Sequence, residues 1–498
     1  MHGATPDGER ERASSRLLTA LTIFGVALAP RLAAAIVYAG EPVWDGHYYD
    51  FGAKRIAAGL GYSDDVIIGG VPVWHPWCHY PVGFSAFLGA VYRVFGSGPL
   101  VGPLFGAVVG ALLAVATWSL AGTFMTERRA RIAGGLVALH PGLVLYSALV
   151  MTEPLAALLT MAAFVVFSRT PERPRTAALA GLVLGVATLV RPQALLLVPF
   201  MGVLHGVARV RASGANASPS AWLRASAIGL ALTAATTLLP VLPWTARNCR
   251  VMDGCALVST NGGWNLAIGA FPRATGRFET LRSTDGCREV TGQVQQDRCW
   301  LTYGTEQIRA HPGFWLSLIP KKLSFTFDHE SFAVEYLHEA KPWEWPESRR
   351  ASARELLTLV HRLLVAAAAF GVVAFVRRGG AGRMQIALIV SVAALIYDAG
   401  FGNATARFWP LVLFVSVVPW LPLPGRPPVP PGFLLVVAFI ATTVVTHAIF
   451  FGEDRYHVVV TPALCLLAAA ALRRPARAIR ARGSSSADGL LGVRELGA

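Results

Sequence analysis

Long apolar segments recur from one end of the chain to the other, and they limit what it can fold into. Of its 498 residues, 54% are hydrophobic and only 15% are charged, with a mean hydropathy of +0.50. An average soluble domain carries about a quarter charged residues. A run of about 20 apolar residues is long enough to cross a bilayer as a helix. Because such runs recur, the sequence predicts an all-α polytopic membrane protein and not a domain held by one anchor.

Basic residues cluster between the apolar segments and predict the direction of each span. Arginine and lysine collect in the cytosolic loops of membrane proteins. We therefore attribute the net charge of +15 to these loops and expect no nucleic-acid partner. The first apolar segment, at about 17–38, follows Arg10, Arg12 and Arg16 and is longer than a signal-peptide core. We expect it to be a retained span with its N-terminus inside.

About twelve spans are predicted, with both termini cytoplasmic. They lie at about 17–38, 99–123, 132–149, 154–168, 176–190, 193–208, 225–243, 355–376, 384–401, 408–422, 433–451 and 457–472. Two shorter apolar segments, 80–96 and 314–327, carry basic residues and are expected to lie as helices at the outer interface.

This topology divides the chain into four parts. They are an N-terminal transmembrane module (1–243) with a catalytic first outer loop (39–98), an extracytoplasmic cap (244–354), a C-terminal transmembrane module (355–472) and a basic cytosolic tail (473–498).

Five of the six cysteines fall in predicted outer segments. Cys249 and Cys255 are close in sequence, as are Cys287 and Cys299, so each pair could form a local disulfide in an oxidising compartment. Free structural cysteines remain an equal alternative.

Acidic and basic side chains gather together only on the predicted outer face. They are Asp45, Asp50, His75, His79, Glu153, Arg191, Arg247, Lys321, Lys322, Arg407, Asp454 and Arg455. A carboxylate beside several cations suits group transfer from an activated phosphate ester. The carboxylate takes a proton from an incoming hydroxyl, while cations or a metal stabilise the departing phosphate. The sequence shows no Gly-rich phosphate loop after a strand and no protease or serine-elbow motif, which disfavours a nucleotide donor or a hydrolase.

Six segments, taken in order, resemble the GT-C class of glycosyltransferases that use lipid-linked sugars, in particular protein O-mannosyltransferases and the bacterial aminoarabinose transferase. The segments are DGHYYDFGAKRIAAGLGY, HYPVGFSAFLGAVYRVFG, YSALVMTEPLAALL, GLVLGVATLVRPQALLLVP, PWTARNCRVMDGCALVSTNGGWNLAIGAFPRATG and FGEDRYHVVVTPAL. The resemblance implies inverting transfer from a polyprenyl-phosphate sugar to a hydroxyl of an envelope glycan, lipid or protein. It implies an enzyme surrounded by membrane lipids of the inner or plasma membrane, with an extracytoplasmic active site.

The resemblance also implies roles for individual residues. Asp45, in a D-x-x-x-Y pattern with Tyr49, matches the catalytic base. Glu153, in T-E-P, matches a second acid that helps to bind metal or acceptor. Arg191 and Arg455 match basic residues that face the phosphate.

Other assignments are less constrained by the pattern. Arg247, Lys321 and Lys322 are expected to contact substrate or lipid phosphates, and Tyr49 and His79 are also assigned to substrate or phosphate binding. Some relatives have an acid–base pair where this chain has His79-Tyr80, and His79 could replace it as a metal ligand beside Glu153. A divalent cofactor, Mg²⁺ or Mn²⁺, is therefore left open.

Each assignment has a structural alternative. Asp45 could cap a helix, Glu153 could suit a helix dipole, and Arg191 could reach lipid head groups. Arg455 could pair with an adjacent acid, and Asp50 is expected to be structural. For the whole chain, a transporter or lipid flippase is the main alternative, and a non-catalytic envelope scaffold is another. A transporter should show ionisable residues at mid-membrane depth and internal repeats, whereas here these residues favour span ends and no repeat is evident.

Overall fold

The structure, a computed structural model, describes residues 6–214, 218–280, 282, 284–376, 382–399, 406–421 and 428–472. Within these ranges the regular secondary structure is helical apart from one two-stranded ribbon, which confirms the predicted all-α membrane class. The tail from 473 to 498 and the predicted inner arginines Arg377, Arg378 and Arg426 lie outside the described residues.

The helices and strands follow one another in a single series. They are α1 (Pro6–Val37), α2 (Asp45–Ala57), β1 (Ser63–Ile68), β2 (Val71–Pro76), α3 (Val82–Phe95), α4 (Val101–Ala121), α5 (Glu127–Leu139), α6 (Pro141–Leu145), α7 (Glu153–Arg169), α8 (Pro174–Val190), α9 (Val198–Ala212), α10 (Pro219–Leu238), α11 (Leu242–Val251), α12 (Gly262–Ile268), α13 (Gln293–Ala310), α14 (Pro312–Phe327), α15 (Phe332–Ala340), α16 (Glu347–Val376), α17 (Gly382–Tyr397), α18 (Trp409–Val417), α19 (Pro431–Ile449) and α20 (Thr461–Ala471). Short 3-10 turns at Tyr146–Ala148, Pro192–Leu197, Pro342–Glu344, Val418–Trp420 and Asp454–Val460 extend or link them.

Several of the described helices are long and apolar enough to cross a membrane. Six qualify by length and composition, and a seventh does so if the bent pair 141–148 and 153–169 crosses as one unit. These helices identify a multi-pass membrane protein. The predicted number of twelve spans stays a prediction, because other predicted spans correspond to shorter apolar helices such as α8 and the segment 409–420.

The predicted span at 132–149 is wrong as a continuous helix. Helix α5 ends at Leu139, His140 is extended (φ −63°, ψ 119°), and Pro141 begins α6. Proline has no N–H to continue the hydrogen-bond ladder and disfavours helical geometry in the residue before it. The chain then turns by 118° into α7, so that Glu153 becomes the first residue of that helix.

A buried arginine stabilises the broken end of α5. Arg31 of α1 is fully buried and donates to Ala138 O (2.6 Å), Val137 O (2.8 Å) and Ala27 O (2.9 Å). The last carbonyls of a helix lack intrahelical partners, and burial without one is costly. Arg31 therefore has a structural role inside the bundle.

The predicted first outer loop is folded throughout. Helices α2 and α3 flank an antiparallel ribbon in which Ser63 faces Pro76, and α3 corresponds to the predicted interfacial helix. The ribbon was not predicted, although Gly-Gly between two β-branched runs is a known hairpin signal. Gly83 allows α3 to approach α8 closely, since a Cβ there would lie 2.5 Å from Leu189 C. This contact sets the first loop beside the residues that follow α8.

The region predicted as a cap contains helices α11 to α15. The structure joins Cys249 to Cys255 and Cys287 to Cys299 as disulfides. A small core around Phe271 and Trp300 fills part of this region. Side chains of α14 and α15 instead belong to the main core of the bundle. The domain boundaries at 244 and 354 therefore stay a prediction.

Candidate active site

A cavity of about 410 Å³ lies where the first loop, the start of α7, the end of α8 and the segment after α19 meet. Its polar lining includes Asp45, Tyr80, Glu153, Arg191, His447, Arg455 and Tyr456. These residues come from five of the six segments that carry the family resemblance and from the last turn of α19. The fold thus collects, around one space, acids and bases that are distant in sequence.

Asp45 is held by two donors at the cavity wall. Tyr80 donates its hydroxyl hydrogen to Asp45 Oδ1 at 2.7 Å, and Arg455 Nη1 donates to Asp45 Oδ2 at 2.5 Å. Burial opposes ionisation of the carboxyl, but Arg455 and Tyr80 outweigh it and hold the pKa of Asp45 below its usual value. Asp45 begins α2 without acting as its cap, because the N-cap position is Trp44.

The backbone is strained immediately before Asp45. Trp44 has φ 49°, one of two positive values at non-glycine residues in the described chain. Its ring packs against Phe332 (5.4 Å between centroids) and Tyr336 (5.9 Å), which hold this conformation in place. Strain of this kind is often found at functional sites, and sequence inspection offered no signal for it.

Glu153 and Arg191 form a second ion pair in the cavity. Arg191 Nη1 donates to Glu153 Oε1 at 2.8 Å and to Thr152 Oγ1 at 3.2 Å. The Glu153 side chain is 2% exposed and that of Arg191 is 15% exposed. Glu153 Oε2 is buried and has no hydrogen-bond partner among the described residues. This oxygen is an acceptor that can serve a cation or a substrate hydroxyl.

Aromatic side chains that sequence reasoning missed connect the two arginines. The Tyr456 ring lies 4.9 Å from the Arg455 guanidinium and 5.8 Å from that of Arg191. The His447 ring stacks on Tyr456 at 4.1 Å, and Gln193 Nε2 contacts His447 Nε2 at 3.2 Å. The only sequence signal that could have identified these residues as part of the site was their position, Tyr456 next to Arg455 and Gln193 two residues after Arg191.

Tyr49 and His79 accompany this site in different ways. Tyr49 lines the cavity, and its buried hydroxyl has a pKa raised above the ordinary value by burial. His79 is not part of the lining and packs on Tyr80 (4.9 Å) and Trp264 (5.2 Å). Burial lowers the pKa of His79 to about 4, so the ring is neutral at pH 7.

The metal ligands predicted from sequence, Glu153 and His79, are not the group that the structure brings together. Among the described residues, the group of three His, Cys, Asp or Glu side chains close enough to share an ion is Glu330, His361 and His457. This group lies outside the cavity, because none of its three residues is part of the cavity lining.

Two predicted phosphate contacts are corrected by the structure. Arg247 donates to Tyr62 O (2.7 Å) and Trp77 O (3.0 Å), so it fastens the first loop to α11 and does not line the cavity. Lys322 is fully buried, and its Nζ donates to Ile449 O at 3.0 Å. Burial lowers the pKa of Lys322 to about 7.

The remaining predicted residues lie outside the cavity lining. Lys321 is exposed on α14. Asp50 accepts from Tyr92 (2.5 Å) and pairs with Lys54 (2.7 Å), in keeping with a structural role. His75 pairs with Asp64 on the ribbon at 2.7 Å.

Part of the chain matches a known family. Residues 79–244 match the model of the dolichyl-phosphate-mannose-protein mannosyltransferases. This segment contains Tyr80, Glu153 and Arg191 of the cavity, and the match confirms the resemblance to GT-C glycosyltransferases. No curated protein matches the chain.

Solved structures of an oligosaccharyltransferase from Archaeoglobus fulgidus are similar at low identity. AglB in complex with an inhibitory peptide and a dolichol-phosphate shares 14% identity with this chain, with a TM-score of 0.40. The match covers 91% of this chain and 50% of the AglB chain. The enzyme tethered with an acceptor peptide containing the NVT sequon shares 14% identity over 91% and 55%, with a TM-score of 0.37. The enzyme in complex with Zn and sulfate shares 15% identity over 90% and 53%, with a TM-score of 0.35. The chain spans about half the length of these proteins, and likeness at this level carries no conclusion about activity.

Proposed function

We propose that this protein is a membrane glycosyltransferase that moves a sugar from a polyprenyl-phosphate donor to a hydroxyl acceptor on the extracytoplasmic face. The observation that carries the proposal is the cavity in which Asp45 and Glu153 face Arg191 and Arg455. Acids and arginines in one buried space suit a reaction that moves a proton and releases a phosphate. The family match over residues 79–244 supports the same chemistry.

Asp45 acts as the general base in this mechanism. It takes the proton of the acceptor hydroxyl while the acceptor oxygen forms a bond to the anomeric carbon of the sugar. The bond from that carbon to the phosphate oxygen breaks on the opposite side, which inverts the anomeric configuration. The electron pair leaves with the lipid phosphate, whose charge makes a separate general acid unnecessary.

The arginines bind the phosphate and adjust Asp45 at the same time. In the structure Arg455 is paired with Asp45, which makes the carboxylate a weak base. A donor phosphate competes for Arg455 and Arg191 because both line the cavity. Once Arg455 turns towards the phosphate, the pKa of Asp45 rises and the carboxylate becomes a better proton acceptor.

The acids of the site fit a divalent cation of the Mg²⁺ or Mn²⁺ type. Asp45 and Glu153 are each paired with one arginine, so their charges are compensated before a donor binds. A donor phosphodiester adds one negative charge, which a divalent ion would help to neutralise. The buried, unpartnered Glu153 Oε2 is an oxygen ligand of the kind that such ions prefer. When bound, the ion would neutralise charge on the leaving phosphate.

Two observations support an extracytoplasmic cavity. Both disulfides lie in the segment 249–299, which also contributes Asn261 and Trp264 to the cavity lining, and disulfides persist in oxidising compartments. The second observation is that arginines expected on the cytosolic side line a different cavity. Arg16 and Arg169 flank spans at the ends predicted to be cytosolic, and both line that separate cavity.

The test is transfer by the purified full-length protein in lipid nanodiscs. Radiolabelled polyprenyl-phosphate sugars are supplied with an acceptor extract, and release of polyprenyl phosphate is measured with label transfer. We expect cleavage of the sugar–phosphate bond together with labelled acceptor. Movement of intact lipid between leaflets without cleavage would instead establish the flippase alternative. Mass spectrometry of envelope lipids and glycans from a deletion strain would identify the acceptor.

A further inference from the structure

A second cluster of ionisable side chains lies inside the protein, apart from the cavity. Glu330 lies between α14 and α15, His361 lies in α16, and His457 lies in the 3-10 segment before α20. Glu330 is 2% exposed, and His361 and His457 are fully buried. One potential ligand atom from each lies within 4.8 Å of the others. Three parts of the chain therefore meet at buried groups that the proposed mechanism does not use.

The two histidines are oriented by backbone carbonyls. His361 Nε2 lies 2.9 Å from Phe327 O, and His457 Nδ1 lies 2.7 Å from Thr326 O. A carbonyl oxygen only accepts hydrogen bonds, so each of these nitrogens carries its hydrogen. In a neutral ring the other nitrogen is then a bare lone pair, which identifies His361 Nδ1 and His457 Nε2 as acceptors.

These acceptors face a carboxylate that is itself incompletely satisfied. His457 Nε2 lies 3.4 Å from Glu330 Oε2, while His361 Nδ1 and Glu330 Oε1 have no hydrogen-bond partner in the described part of the chain. Buried acceptors without donors are costly. One proton on His457 would satisfy its contact with Glu330 but would leave the other two atoms unpaired. A cation shared by all three side chains would satisfy the whole cluster.

We propose that Glu330, His361 and His457 bind one structural zinc ion. Two imidazole nitrogens and a carboxylate form a common zinc ligand set. Metal-binding histidines usually donate their second N–H to a carbonyl or carboxylate, as both do here. The three side chains leave one position of a tetrahedral ion for a water molecule. The inference does not depend on the proposed function.

The site would join the segment that carries Arg455 of the cavity to two elements outside the cavity lining. His457 follows Arg455 by two residues in the same 3-10 segment, and Thr326 and Phe327 end α14. A zinc ion would fasten this segment to α16 and to the α14–α15 connection. Its expected role is to hold the Arg455 segment in place without touching substrate.

Metal content of the full-length protein tests the proposal. The protein is purified through a tag without histidines, incubated with ZnCl₂, dialysed and measured by inductively coupled plasma mass spectrometry. We expect about one zinc per chain in the wild type and at least a tenfold loss in His361→Gln and His457→Gln. His205→Gln is the matched control, because His205 is fully buried, contacts Pro171 O at 2.6 Å and also has an unpartnered Nε2. It should retain the zinc.

A further variant perturbs the site without removing a ligand. A Cβ at Gly142 would overlap Glu330 Oε1, so Gly142→Ala should displace the carboxylate and weaken zinc retention during dialysis. If the histidine variants do not fold, the visible absorption of Co²⁺ added to the wild type replaces them, with bands of a tetrahedral nitrogen–oxygen site expected. Wild-type protein that retains no zinc and gives no such Co²⁺ spectrum would overturn the proposal. Unchanged zinc content in both folded histidine variants would also overturn it.

Discussion

Arg455 Nη1 lies 2.5 Å from Asp45 Oδ2, and this ion pair joins residues 410 positions apart in the chain. The contact closes the cavity by linking the first loop to the segment before α20. It also keeps Asp45 ionised, since it outweighs the cost of burial. In the proposed mechanism, Asp45 becomes a better proton acceptor when Arg455 binds the donor phosphate instead.

Replacement of Asp45 by Asn should abolish transfer while the protein still folds. Loss of a positioned general base typically reduces a rate by about 10²–10⁴-fold. The measurement is kcat with a radiolabelled lipid-phosphate sugar. Asp50→Asn is the matched control, because Asp50 is also a buried acid bonded to a tyrosine but lies outside the cavity lining. It should keep its transfer rate, and near-normal transfer by Asp45→Asn would refute the assignment of the base.

Replacement of Tyr80 by Phe should shift the acid limb of the pH profile upwards. The Tyr80 hydroxyl helps to hold the pKa of Asp45 low, so its removal raises that pKa. Transfer requires the ionised carboxylate, and therefore the variant should lose activity at a higher pH than the wild type as the pH falls. The measurement is kcat/KM against pH. Tyr92→Phe removes an equivalent hydrogen bond to Asp50 and should leave the acid limb of the pH profile unchanged. Equal shifts in both variants would contradict the role of Tyr80 in setting the pKa of Asp45.

The two single substitutions in the Glu153–Arg191 pair should together cost more stability than the double substitution does. Removing one partner of a buried pair leaves the other charge uncompensated and costs about 3–5 kcal/mol. We expect a coupling energy of about 1–3 kcal/mol in a double-mutant cycle of Arg191→Ala and Glu153→Ala. Thermal unfolding in detergent, compared at one pH, provides the measurement. Strictly additive changes in stability would show that the pair observed at 2.8 Å contributes little.

Replacement of Lys322 by Met should stabilise the protein most at and below neutral pH. The pKa of Lys322 is lowered from 10.5 to about 7 by burial. Between these values the unfolded chain binds the proton and the folded chain does not, so the wild type gains stability as the pH rises from about 7. The difference in Tm between variant and wild type should therefore shrink from pH 7 to pH 9. Exposed Lys321→Met should show no such trend, and a constant difference for Lys322→Met would disprove the shift.

The helical membrane class and much of the site could be predicted from the sequence. Apolar length and the placement of arginine are local properties, so α1, α4 and α19 correspond closely to predicted spans. The family pattern selected Asp45, Glu153, Arg191 and Arg455, all of which line the cavity. Their catalytic roles stay predictions.

Other features depended on which segments pack together. Lys322 looked like a surface cation on an amphipathic helix, and only its burial against the end of α19 shows otherwise. The sequence shows a proline, Pro141, where the helix breaks. It does not show that Arg31, about a hundred residues away, donates to the carbonyls left unpaired at the break.

The sequence alone determined the kind of protein, because the hydrophobic effect and the positive-inside rule act on continuous segments of chain. It also predicted that acids and arginines would collect at one end of the spans. Only the tertiary structure decided which acid meets which arginine, that Tyr80 and Tyr456 complete the cavity, and that Glu330, His361 and His457 meet elsewhere. The physical reason is that ion pairs and hydrogen bonds act over a few ångströms, and these residues become neighbours only after the helices pack.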